Sequence, residues 1–185
     1  MQQDIERILI SQERIATRVR ELAEQIMADH SGSAGEITLV PILTGAMVFC
    51  ADLMRHMSVR MRIGLLTVSS YPGASLRTQG SNLLSQQLGD VRGRHVLLID
   101  DILDSGGTLK LVLPVLRSME PASVKTCVLV RKDRPMAREV HVDYLGFEIP
   151  DEFIVGYGLD YDNYYRNLPD IVTLRKSVLE SKLER

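Results

Sequence analysis

The sequence predicts an α/β fold in which a mostly parallel, twisted sheet is flanked by helices on both faces. Apolar runs of strand length alternate with stretches of helical periodicity, the order that builds βαβ units joined by right-handed crossovers. The run 96–99 ends in paired acids and a glycine-rich turn, and open α/β sheets take their ligands at the carboxyl ends of their strands. With 185 residues the chain is long enough for one well-buried core, so a single domain over 1–185 is expected.

Ser11 has the side chain of an N-cap, and Ile15, Val19, Leu22 and Ile26 then recur on one helical face. Gly32, Ser33 and Gly35 mark a loop. Residues 37–43, apolar and containing Pro41, read as a buried strand that Thr44 and Gly45 break off. A second helix over 46–57 and a strand over 59–68 follow. Residues 69–80 are too rich in turn formers for regular structure and longer than most connections, which is the character of a functional or mobile loop. After Gly93 come a buried strand at 96–99, a helical period over 108–119 that persists despite Pro114, and a strand over 123–130.

A composition of 45% hydrophobic and 25% charged residues excludes intrinsic disorder. The formal net charge of −2, from 22 basic and 24 acidic residues, gives no general attraction to nucleic acid or anionic membrane, so any bound anion must be held locally. Cys50 and Cys127 lie inside apolar runs as small buried thiols, and neither a disulfide nor a metal framework is indicated. His30, His56, His95 and His141 lack metal-ligand spacing. No stretch approaches the ~20 apolar residues of a membrane span, and the start of the chain lacks a basic segment followed by a long apolar run. A cytoplasmic protein with neither membrane nor nucleic-acid partner is expected.

The most informative stretch is Asp100, Asp101, Ile102, Leu103, Asp104, Ser105, Gly106, Gly107 and Thr108. Paired acids at a strand end meet ligand hydroxyls, while 105–108 offers backbone N–H groups and hydroxyls at a helix start, where an anion is favoured without any lysine. A sugar phosphate suits both halves. A lone Ser-Gly-Gly-Thr is as often a mere turn; the preceding acids separate the two readings. Dinucleotide and P-loop glycine patterns are absent. Glycine at 106 is expected to let phosphate approach the backbone, since a β-carbon would stand in the way.

This nine-residue stretch resembles the phosphoribosyl pyrophosphate motif of type I phosphoribosyltransferases. The resemblance implies that family's fold, a parallel sheet with a small hood and a mobile lid loop. It implies that Asp100 and Asp101 meet the ribose hydroxyls, that Asp104 sits beside the reacting base, and that Ser105, Gly106, Gly107 and Thr108 wrap the 5′-phosphate. Over 39–169 further segments resemble the hypoxanthine-guanine branch. Leu43, Thr44 and Gly45 resemble its pyrophosphate loop; many members carry a basic residue where Thr44 stands, which leaves backbone N–H groups as the donors. Ser69, Ser70 and Tyr71 resemble the start of its lid.

Val130, Arg131, Lys132 and Asp133, followed by the stretch 146–161, resemble its purine-binding region. By that resemblance Lys132 donates to the purine O6, Phe153 stacks on the ring, Ile154 supplies backbone contacts, and Asp160 lies by the purine and helps hold Mg²⁺, with Asp100 and Asp101 as further metal candidates. Arg166 matches an arginine near the pyrophosphate. The implied activity is transfer of a phosphoribosyl group from phosphoribosyl pyrophosphate to hypoxanthine or guanine, with Mg²⁺ as cofactor, in a homodimer or homotetramer. The ranking of hypoxanthine, guanine and xanthine is not legible.

Rival readings are a non-catalytic nucleotide sensor that binds nucleic acid, which would need a basic surface or an added DNA-binding segment, and a receiver-like signalling domain, whose acid pair belongs nearer the N-terminus. If Asp104 is the general base, Asp104→Asn lowers turnover by about 10²–10⁴-fold while largely sparing donor binding. Unchanged turnover, measured where chemistry limits the rate, contradicts that role.

Overall fold

A computed structural model describes residues 1–30, 36–69 and 82–180. In chain order its elements are β1 (Ile5–Ile10), α1 (Gln12–His30), β2 (Ile37–Leu43), α2 (Met47–Arg55), β3 (Met61–Ile63), β4 (Leu65–Ser69), β5 (Asn82–Gln87), β6 (His95–Leu103), α3 (Gly107–Ser118), β7 (Ser123–Lys132), α4 (Pro135–Arg138), β8 (Tyr144–Ile149), β9 (Ile154–Val155), β10 (Ile171–Leu174) and α5 (Lys176–Glu180). The main sheet has the order β5-β4-β2-β6-β7-β8, with β3 also pairing with β2. Within it only the β4–β5 pair is antiparallel.

Side-chain alternation divides the core between the two faces of this sheet. Leu39, Leu97, Ile99 and Cys127 pack against Ile15, Val19, Leu22 and Ile26 of α1 and Phe49 and Leu53 of α2. Val40, Val96, Leu98 and Val128 pack instead against Leu109, Val112 and Leu116 of α3. Strands buried on both sides read as continuous apolar runs, which is why 37–43 and 96–99 stood out. Pro114 lies on the exposed side of α3, away from the face that packs on the sheet.

Several expectations are refined. The strand expected over 59–68 is split at Gly64 into β3 and β4, yet the ladder keeps one register across the break, with Leu39 opposite Ile63 and Ile42 opposite Leu66. Strand β6 does not stop at Ile99. It runs on through both acids to Leu103, because Ile102 and Leu103 still pair with Val130 and Arg131 of β7. The chain leaves β4 at Ser69 and re-enters the sheet opposite it at Asn82; residues 70–81, and with them Ser70, Tyr71 and the expected lid, lie outside the described residues.

A smaller antiparallel sheet, β1-β10-β9, forms the hood that the resemblance implied. Ile10, Ile154 and Ile171 tie it to the core beside α1, while Val155, Val172 and Leu174 build a cluster of their own. Its strands escaped the sequence reading because they are short or, like β1, mostly exposed on one edge.

The β7–β8 pairing is pinned near its start by a polar clasp. Asp143 Oδ2 accepts hydrogen bonds from the Thr126 backbone N–H at 2.8 Å and from its hydroxyl at 3.0 Å, while the Asp143 N–H donates to Thr126 Oγ1 at 3.1 Å. Thr126 is buried. Asp143→Ala leaves a buried hydroxyl and N–H without their acceptor, and should lower unfolding free energy by about 1–3 kcal/mol. Urea denaturation is the check, with a shifted midpoint and unchanged slope expected; an unshifted midpoint contradicts the clasp.

Candidate active site

The adjacent parallel strands β2, β6 and β7 end on one edge of the sheet, and each delivers part of the site. After β2, whose final Leu43–Thr44 peptide is cis, the chain turns at Thr44 and Gly45 into α2. Gly45 lies directly against Asp101: a β-carbon built on it would stand 1.9 Å from Asp101 Oδ2. Gly158 presses on the same loop from the other side, where a β-carbon would meet the Gly45 carbonyl oxygen at 2.3 Å. Only residues without side chains allow three segments to meet so closely.

Arg166 and Asp160 join this group. Arg166 Nη1 donates to the Gly158 carbonyl at 2.7 Å, the Arg166 carbonyl accepts from the Gly158 N–H at 3.0 Å, and Arg166 Nη2 pairs with Asp160 Oδ1 at 2.8 Å. The other Asp160 oxygen accepts the Asn163 N–H at 2.8 Å. Tyr157, unassigned from sequence, braces the assembly: its hydroxyl donates to Asp52 on α2 at 2.7 Å.

Strand β6 contributes the acids. Asp100 is 5% exposed, and burial, with the neighbouring Asp101 charge adding to it, pushes its carboxyl well above the usual range. Burial also raises Asp101, opposed by hydrogen bonds, among them the Ile102 N–H at 3.0 Å, and by the charge of Arg166. Two adjacent carboxylates short of countercharge form a site that favours a cation or hydroxyl donors. Among the described residues no three His, Cys, Asp or Glu side chains converge as a ready metal cage.

The turn at 104–108 leads into α3. Gly106 caps that helix with φ of +80° and no side-chain cap, so the N–H groups of the first turn are without intrahelical acceptors, the arrangement that binds anions. Glycine at 106 is also demanded by its left-handed φ and by packing, since a β-carbon there would strike Val140 Cγ2 at 2.4 Å.

At the end of β7 stands Lys132, only 7% exposed. Its ammonium lies 3.6 Å from Asp104 Oδ2 and 3.8 Å from Asp151 Oδ1. Arg134 spans the same acids, with Nη1 2.5 Å from Asp104 Oδ1 and Nη2 2.7 Å from Asp151 Oδ1. Despite that charge contact, Asp104 Oδ1 is shut off from solvent with no aligned hydrogen-bond donor. The Arg134 guanidinium holds Asp151 below the usual carboxylate range. Phe153 is 44% exposed, with Tyr161 edge-on to its ring at 5.4 Å, and Ile154 next to it starts β9.

The structure thus gathers Gly45, Asp101, Gly158, Asp160 and Arg166 on one side, and Asp104, Lys132, Arg134 and Asp151 on the other. Sequence reading assigned no role to Arg134, which offered no signal beyond its charge, and none to Asp151 beyond its place in the 146–161 stretch. Grooves of 440 and 450 Å³ lie elsewhere, the first beneath the hood at Phe153 and the second along α1 and α2 at Arg166; neither is lined by Asp104 or Lys132. No described helix is long and apolar enough to cross a membrane.

The family model of the phosphoribosyl transferase domain matches residues 6–162. The chain belongs to the phosphoribosyltransferase family. Within it, the chain is 38% identical over 178 residues to a hypoxanthine-guanine phosphoribosyltransferase of Streptococcus pneumoniae, covering 96% of this chain and 98% of the relative. It is 40% identical over 166 residues to the hypoxanthine phosphoribosyltransferase of Escherichia coli, covering 89% and 92%. A hypoxanthine phosphoribosyltransferase of Trypanosoma cruzi in complex with the product IMP superposes with a TM-score of 0.85 at 36% identity, covering 95% of this chain and 97% of that one. The fold is accordingly the type I phosphoribosyltransferase fold.

The raised carboxyl of Asp100 has a cost that pH reveals. An acid whose folded pKa lies above its unfolded value supports folding below the unfolded value, near 3.9, and loses that support as pH rises through the folded value. At neutral pH the group opposes folding of this phosphoribosyltransferase. Asp100→Asn should therefore raise the melting temperature of the ligand-free protein at pH 7, with the gain shrinking toward pH 4; a lower melting temperature at pH 7 contradicts the assignment.

Proposed function

We propose that the chain is a purine-salvage enzyme that transfers the 5-phosphoribosyl group of phosphoribosyl pyrophosphate to hypoxanthine or guanine, giving IMP or GMP and pyrophosphate. The observation that carries this reading is Lys132, a buried ammonium at the strand end beside Asp104, too far from either flanking acid for a hydrogen bond. It has three donors and no acceptor, the complement of an exocyclic oxygen. The names of the relatives point to the same bases.

The reaction joins a purine ring nitrogen to the anomeric carbon as pyrophosphate departs. In this reading the N–H groups and hydroxyls of Ser105, Gly106, Gly107 and Thr108 hold the 5′-phosphate at the start of α3. Asp100 and Asp101 accept from the ribose hydroxyls. Leu43, Thr44 and Gly45 offer backbone donors to pyrophosphate, with Arg166 alongside. Phe153 covers one face of the purine and Ile154 meets its edge through the backbone. Asp104 accepts the purine proton as the new bond forms.

The donor set fits Mg²⁺, a hard cation that typically takes one or two carboxylates and completes its shell with phosphate oxygens and water. Asp160, with Asp100 and Asp101, would hold it, and when bound it supplies positive charge that offsets the leaving pyrophosphate. Ser70 and Tyr71 would begin a lid that keeps water from the reacting sugar. The same reading makes 1–185 one catalytic domain of a cytoplasmic homodimer or homotetramer.

Base choice tests the reading. Adenine presents an amino group where hypoxanthine, guanine and xanthine carry O6, setting donor against donor at Lys132. Rejection on the order of 10⁴–10⁵-fold in kcat/KM is expected, as for sites built to bond a polar group that the analogue lacks. Lys132→Ala should erode this preference mainly by damaging 6-oxopurine use. Comparable adenine and hypoxanthine turnover in the unmodified enzyme refutes the assignment.

A further inference from the structure

Arg134 and Asp151 have no role in the scheme above, and their geometry gives them one. The Lys132 ammonium faces Asp104 at 3.6 Å and Asp151 at 3.8 Å, and both spacings exceed hydrogen-bond length. Arg134 stands closer to each of the same acids, at 2.5 Å from Asp104 and 2.7 Å from Asp151. A planar guanidinium fork can span two carboxylates at once, as a lysine point charge cannot. With all members ionised, the quartet of two cations and two anions is neutral. Lys132 keeps donors that neither acid takes up.

We propose that Arg134 is a positioning residue for base recognition: it holds Asp104 and Asp151 off Lys132, so that the buried ammonium stays open to the exocyclic oxygen of an incoming 6-oxopurine. The inference rests on the reading of Lys132 as the base-binding donor. Without Arg134, two carboxylates face one ammonium, and the excess negative charge draws them into charge-assisted hydrogen bonds with it. An incoming base must then displace a carboxylate before it can bind. The phosphoribosyl donor is not touched by this competition, since its phosphate is assigned to 105–108.

A purely structural role for the arginine makes a different prediction. The turn around it is held by backbone bonds, from Arg134 N–H to the Lys132 carbonyl at 2.8 Å and from Ala137 N–H to the Arg134 carbonyl at 3.1 Å, which survive any change of side chain. Arg134 is also half-exposed, with 39% of its side chain accessible, so its truncation leaves little void.

Steady-state kinetics on the full chain, varying hypoxanthine and phosphoribosyl pyrophosphate separately, provide the test. Arg134→Ala should raise the KM for hypoxanthine about tenfold or more while the donor KM stays within about twofold, the size expected when a charge-assisted hydrogen bond must be broken first. Adding Asp151→Asn removes the surplus anion and should recover most of the lost base affinity, and Arg134→Lys should fall between the two. A hypoxanthine KM unchanged by Arg134→Ala, in the face of a large rise for Lys132→Ala, overturns the proposal. So does a raised KM that Asp151→Asn fails to recover, which would mark Arg134 as a brace. If Lys132→Ala itself leaves the KM unchanged, the reading of Lys132 fails and takes this inference with it.

Discussion

Two adjacent carboxylates, Asp100 and Asp101, sit on a strand that is buried on both faces, and the rest of the site is arranged around that unfavourable fact. Strand β6 lies between β2 and β7 and continues past the acids, so neither carboxylate is left in open water. Asp101 lies against the Gly45 loop, and the Asp100 and Asp101 carboxyls are close enough to bear on one another. Burial raises both carboxyls, with the neighbouring Asp101 charge adding to the rise at Asp100, and weakens the empty protein. A ligand rich in hydroxyls, or accompanied by a cation, relieves the strain, so part of the cost of folding the site is recovered only on binding.

Charge compensation is divided between the two sides. On one side Arg166 bonds to the Gly158 carbonyl and to Asp160, and its charge also bears on Asp101. On the other Lys132 and Arg134 face Asp104 and Asp151, and the unequal distances matter more than the charge count. The arginine takes the close contacts, and the lysine is left with bonding capacity, which the proposed function assigns to a purine oxygen. The Arg166 group depends on glycines that let backbone approach side chain or backbone, at Gly45 and Gly158.

Much of this was legible in the sequence, and the limits have physical causes. The buried parallel strands announced themselves because burial on both faces demands unbroken apolar runs, as at 37–43 and 96–99. The acid-to-glycine stretch at 100–108 was legible because strand end, turn and helix start each require particular residue types. The exposed β1 and the two-residue β9 carry no such pattern, since an edge strand tolerates polar residues. The packing demand for glycine at 106 was not legible, because the Val140 methyl that excludes a β-carbon lies 34 residues further along the chain, beyond the reach of local reasoning. The roles of Arg134 and Asp151 were illegible for the same reason. Their meaning lies in distances across the sheet edge rather than in spacing along the chain.

The central claim is that base and donor meet where β6 and β7 end, with Lys132 and Asp104 on the purine and the 105–108 turn on the phosphate. A crystal structure of the chain with IMP tests this most directly. The account predicts the hypoxanthine O6 within hydrogen-bond distance of Lys132 Nζ, Asp104 facing the ring nitrogens, and the 5′-phosphate against the N–H groups at the start of α3. A phosphate held elsewhere, or a base turned so that O6 points away from Lys132, contradicts it.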